Sequence, residues 1–133
     1  MLNQLEQIRS ESIILKRRIK KLIEQRDTLY FSLFPSAVRY DKEHVQTSPE
    51  DMMPKTFAEI ADLDDRIIEL KGALAFNMKR VSVTCYSLKP TYRKVMALYY
   101  GGAYTNKQIA CMMHKTTNNI KQIKYKALKK LPV

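Results

Sequence analysis

The sequence predicts an all-α protein, a long antiparallel helical hairpin or coiled coil followed by a C-terminal helix-turn-helix. Three observations carry this expectation. Glycine (3) and proline (5) are scarce among 133 residues of which 45% are hydrophobic, a composition that suits helices with a real core better than a turn-rich sheet protein. Apolar residues recur at steps of three, four and seven along two long segments. Near the end, two short amphipathic stretches flank a tight turn, the spacing of a helix-turn-helix.

The first helix is expected from about Leu2 to Leu33, with a seam of Leu5, Ile8, Leu15, Ile19, Leu22, Leu29 and Leu33 interrupted by Ser12 and Arg26. Such a stripe needs a partner helix. Phe34-Pro35 ends it, because proline lacks a donor and biases its predecessor away from helix. Residues 35–54 have no helical period and hold Pro49 and Pro54, so they read as a loop with a helix start inside SPED. The second long helix begins between Pro49 and Lys55 and runs to about Leu88, roughly 45–50 Å at 1.5 Å per residue. Its seam is Phe57, Ile60, Ile67, Leu74, Met78, Val81, Cys85 and Leu88, with Asp64 and Lys71 at two seam positions. Polar residues there select register or partner. Gly72 is a weak point in this helix. Residues 1–88 thus form one expected region, for oligomerisation. Leu15, Ile19, Leu22, Leu29, Ile60, Ile67, Leu74 and Val81 are its candidate contacts, pairing within the chain or with another copy.

Residues 89–133 form the second region. A helix from Pro90 to Tyr100, with Val95, Leu98 and Tyr99 inward, ends at Gly101-Gly102. Thr105 with Gln108 three residues on is a capping box for a helix over 106–113, with Ile109, Ala110 and Met113 inward. His114-Lys115 makes the turn; His is tolerated at positive φ better than most residues, which assigns His114 to turn geometry. Thr116 caps the last helix, from Thr117 to about Lys130. Its inward stripe is Ile120, Ile123, Ala127, Leu128 and Leu131. Its outward stripe is Thr117, Asn118, Lys121, Gln122 and Tyr125, with Lys124 and Lys129 at the edges.

The net charge is +11, and its distribution is uneven. The last acidic residue is Glu69; from Leu70 onward there are 13 Lys or Arg and no carboxylate, whereas the first 69 residues hold 11 bases against 13 acids. A solvated lysine surface normally mixes signs. An acid-free basic half suits a polyphosphate partner, since any carboxylate would repel phosphate. Double-stranded DNA is therefore the expected partner. In a helix-turn-helix the N-terminal part of the second helix meets base edges, and flanking lysines hold phosphates. Asn and Gln side chains match adenine bidentately.

The segment from Thr91 to Leu131 resembles the promoter-reading C-terminal domain of bacterial sigma-70 factors. The shared features are a short helix ending in a Tyr-Gly step, Tyr104-Thr105 before the next helix, and the ending from Ile120 to Leu131, in which Gln122 is retained. The resemblance implies base reading by Thr117, Asn118, Asn119 and Gln122. It also implies phosphate contacts from Lys121 and its basic neighbours; with the caps and flanks, that set is Thr105, Lys107, Lys115, Thr116, Lys121, Lys124, Tyr125 and Lys129. Thr117, Asn118 and Asn119 replace charged residues usual in that family, which implies a different target sequence. His114 replaces its usual turn glycine. The whole chain is similar to small regulators of phages and prophages of Gram-positive bacteria, of the late-gene activator type. That similarity implies a transcriptional activator of late or lytic genes in the bacterial cytoplasm. The chain lacks the sigma domains that melt DNA.

Other functions find little support. His44 and His114 lie seventy residues apart, Cys85 and Cys111 match no metal or redox spacing, and no glycine-rich phosphate loop is present. No catalytic residue, metal or cofactor is expected, and each cysteine reads as a buried thiol. The apolar runs are too short for a membrane span, and the N-terminus lacks the apolar core of a secretory signal. A homodimer or higher homo-oligomer is the expected assembly, with host RNA polymerase as a further possible partner. A DNA-packaging adaptor of the small-terminase type is the alternative, although those usually place the DNA module first.

Overall fold

A computed structural model describes residues 2–33 and 49–131. Every regular element is helical: α1 (Leu2–Leu33), α2 (Pro49–Thr84), α3 (Pro90–Met96) running into a π-helical turn (Ala97–Gly101), α4 (Asn106–Met113) and α5 (Thr117–Lys130). The all-α hairpin and C-terminal helix-turn-helix are as expected. α2 starts at Pro49, the early end of the expected range and the start signal within SPED, so residues 49–54 lie in the helix rather than in the loop. Pro49 has its φ already set for a first helical position. Pro54 removes one donor whose acceptor belongs to the opening turn. The rest of the expected loop lies outside the described residues. α2 stops at Thr84, earlier than Leu88, and Cys85 continues the helical pattern with an N–H bond to the Val81 carbonyl at 2.9 Å.

Two compact units divide these residues: one gathers the chain up to Arg17 and from Lys71 onward, the other lies within Arg18–Leu70. In the first, Leu5 and Ile8 of α1 share a core with Val81, Cys85 and Leu88, Met96, Tyr100, and Ala127 and Leu131 at the end of α5. A second core joins Val95 to Ile109, Ala110, Ile120 and Ile123, closing α3, α4 and α5 on each other. The helix-turn-helix thus shares its core with the first four turns of the chain. α1 and α2 run antiparallel here. Ser12, which interrupts the α1 seam, is fully buried and donates to the Gly101 carbonyl at 2.6 Å, while Asn77 Nδ2 donates to Ser12 Oγ at 3.0 Å. The interruption is a satisfied buried polar pair.

In the second unit Ile19, Ile60 and Ile67 are buried, and Arg26, the other interruption, donates to Asp64 Oδ1 at 3.0 Å. The polar seam residue Asp64 therefore has its matching polar partner on α1. Two seam assignments need correcting. Phe57 is 48% exposed, because at about 100° per residue it lies roughly 60° off the line through Ile60, and half-buried Thr56 takes its place. Lys71 is exposed.

The π turn moves the inward face of the segment after Pro90. Gly102 N–H bonds to the Ala97 carbonyl at 2.9 Å, five residues back. That extra residue brings Tyr100 into the core beside Met96, while Leu98 and Tyr99, expected inward, are half-buried and pack against the cores from their edges. Gly101 is needed for close approach rather than for a left-handed turn. A Cβ there would lie 2.5 Å from Met78 Cα and 2.9 Å from the Asn77 carbonyl oxygen. The left-handed step falls on Ala103, φ 57°.

Candidate nucleic-acid interface

The helix-turn-helix is built by local chemistry. The Thr105 hydroxyl accepts from the Gln108 N–H at 3.2 Å while Gln108 Oε1 accepts from the Thr105 N–H at 2.9 Å, so the capping box is complete. α4 ends at His114, φ 56° and ψ 44°, the left-handed conformation that stops a helix. Lys115 N–H closes the turn on the Ala110 carbonyl at 2.9 Å. Thr116 then caps α5, accepting from the Asn119 N–H at 3.1 Å. One buried stripe, Ile120, Ile123, Ala127 and Leu131, fixes the rotation of α5 about its axis, with Leu128 half-buried beside it.

That rotation decides what faces outward. Asn118, Asn119, Lys121 and Gln122 are exposed, Thr117 is half-buried at the front, and Tyr125 is 62% exposed. Thr105, Lys107, Lys115, Thr116 and Lys129 are exposed around them, and Lys129 Nζ lies 4.4 Å from the centre of the Tyr125 ring. No carboxylate occurs anywhere in α4, the turn or α5. Lys124 differs from its neighbours: it is half-buried, with Nζ 3.3 Å from the centre of the Tyr99 ring. Burial, then the nearby Arg9 and Lys121 charges, lowers its pKa to about 8. Arg9, on α1, holds the same region. It donates to the Tyr99 carbonyl and, at 3.1 Å, to the Tyr104 carbonyl, with its guanidinium carbon 3.8 Å from the Tyr99 ring centre. Lys16 Nζ lies 3.7 Å from the centre of the Tyr104 ring. Reading the C-terminal segment alone missed both α1 residues, and no local pattern could have revealed them.

The candidate oligomerisation residues are placed differently. Ile19, Ile60, Ile67 and Val81 are buried by their own chain, and Leu15, Leu22, Leu29 and Leu74 are half-buried. The cysteines correct the sequence expectation in one case. Cys85 is buried, its thiol pushed up to about 11 by desolvation, but Cys111 is exposed, on the side of α4 away from Ile109.

Among the described residues no helix is long and apolar enough to cross a membrane. Comparison with curated proteins and with solved structures gives no match. Residues 87–131 match the family model described as Sigma-70, region 4; this segment is thus similar to a DNA-binding regulatory domain rather than a catalytic one.

Proposed function

We propose that the chain is a sequence-specific DNA-binding regulator of transcription, in which α5 enters the major groove. The observation that carries this reading is the outward face of α5. It exposes Asn118, Asn119 and Gln122, which match base edges, beside Lys121 and Lys129, with no acid in the last 64 residues. The finer reading, an activator of phage or prophage late genes in a bacterial cell, rests on the sequence resemblance. A homodimer carrying two modules would read an inverted repeat. It would need surface other than Ile19, Ile60, Ile67 and Val81, which their own chain covers. Light scattering separates this dimer from the ring of a packaging adaptor. Sigma region 4 domains also bind RNA polymerase, and polymerase capture in the absence of DNA tests that role here.

The decisive experiment selects duplexes from a random pool with the wild-type chain and with Asn118→Ala. The wild type should enrich one sequence, and Asn118→Ala should relax preference at one base position by about 1–3 kcal/mol. Selection without enrichment, or with an unchanged preference in the variant, refutes base reading from this face.

A further inference from the structure

Three cations face two tyrosine rings where α1 meets the helix-turn-helix, and a fourth, Lys121, stands one turn from one of them on α5. Arg9 and Lys124 both face the Tyr99 ring, at 3.8 and 3.3 Å from its centre, distances that together cap their separation at about 7 Å. That is inside the screening length of physiological salt, about 8 Å. Burial first, and then the Arg9 charge, lowers the pKa of both Lys124 and Lys16, with Lys121, one turn before Lys124 on α5, adding to the effect on Lys124. Lys16 sits over Tyr104, whose carbonyl Arg9 holds, and Tyr104 directly precedes the cap of α4. The ion pairs among the described residues join Arg26 to Asp27 and Asp64, and Arg80 to Glu11; none of these four cations takes part.

Unpaired like charges this close repel one another. Here two backbone carbonyls hold Arg9, and the negative faces of tyrosine rings rather than carboxylates lie under Arg9, Lys16 and Lys124. Such a cluster is preorganised for an anion and is relieved by one. The available anion follows from position. The cluster is continuous with the start of α4 and with Lys121 on the outward face of α5, and a helix start favours phosphate. We propose that Arg9 and Lys16 of α1 join Lys121 and Lys124 of α5 in a binding site for a backbone phosphate of DNA. This rests on the DNA-binding reading above and deepens it. The first helix is then part of the DNA-contacting surface as well as of the core beneath it.

The test measures binding of the full chain to a random-sequence duplex across salt concentrations. Lys16 is half-buried and makes no hydrogen bond among the described residues, so Lys16→Gln removes charge with little loss of packing. One lost phosphate contact flattens the salt dependence by about 0.9 in slope. The affinity lost between about 50 and about 200 mM salt should therefore be about 3.5-fold smaller than in the wild type. Lys16→Arg should keep the wild-type slope. As a second readout, amine-reactive labelling of the unaltered chain should find Lys16 protected by the duplex while Lys79 is not. If Lys16→Gln keeps the wild-type slope and Lys16 stays reactive on the duplex, while Lys121→Ala weakens binding, the site is refuted and the DNA-binding reading stands. A wild-type chain with no affinity for the duplex at low salt overturns both.

Discussion

Replacing Gly101 with alanine should destabilise the protein through a backbone collision. The new Cβ would stand 2.5 Å from Met78 Cα and 2.9 Å from the Asn77 carbonyl oxygen. Both obstacles are main chain of α2, so no rotamer change relieves them, and the π turn has to move outward. Overpacking of this kind costs about 1–3 kcal/mol. The same movement lengthens the 2.6 Å bond from Ser12 to the Gly101 carbonyl, and with it the buried Ser12–Asn77 pair; an orphaned buried polar group adds about 1–3 kcal/mol. Alanine's better helix propensity returns up to about 1 kcal/mol. The net is a loss of about 1–5 kcal/mol, against a typical stability of about 5–15 kcal/mol. At roughly 4 °C per kcal/mol for a chain of this length, Tm should fall by about 4–20 °C in a melt followed by circular dichroism. A Gly101→Ala protein that melts at or above the wild type would show that this turn is not pressed onto α2.

The remaining predictions concern charge and turn geometry. Lys124 is poised near pH 8 by burial among Arg9, Lys121 and the Tyr99 ring. A phosphate nearby should raise that pKa, so DNA binding takes up a proton and weakens as pH rises through about 8. Lys124→Arg, measured by fluorescence anisotropy, should remove that dependence, and a variant with the wild-type profile excludes Lys124 as its source. The folding linkage has the opposite sign. The unfolded chain binds a proton at Lys124 that the folded chain has released between about 8 and the ordinary lysine value of 10.5, so this group makes stability rise with pH over that window. His114→Gly should stabilise the turn by about 0.5–1 kcal/mol, because a side chain in the left-handed region is strained, seen as a later urea midpoint. An earlier midpoint would mean that the imidazole makes a contact worth more than the strain.

Local chemistry was legible in the sequence. Thr105 with Gln108, Thr116 and the His114 turn act over three or four residues, and the stripe on α5 settles its own rotation. Ser12 and Arg26 were visible as breaks in a seam, but their partners were not. Asn77 lies 65 residues from Ser12, and Asp64 lies 38 from Arg26. The polar seam position at Asp64 did signal a register choice; Asn77 gave no such signal. Met96 and Tyr100 joined Leu98 and Tyr99 on the core beside a π turn, and nothing in that composition announces one. The role of Arg9 and Lys16 depends on contacts such as Arg9 to the Tyr104 carbonyl, 95 residues away. A heptad reading sees them only as charges off the seam.

The shared core of Leu5, Ile8, Ala127 and Leu131 also has a consequence for when the protein can finish folding. On a ribosome α1 emerges with its apolar stripe uncovered, and the residues Ala127 and Leu131 that close over it follow on the order of 120 positions later. Contacts spanning almost the whole chain form late and slowly. α5 thus packs on a floor that has waited for it since α1 was made. A chain cut after α2 holds all of α1 but leaves its stripe uncovered, and the segment from Pro90 onward transplanted alone leaves behind part of its own foundation.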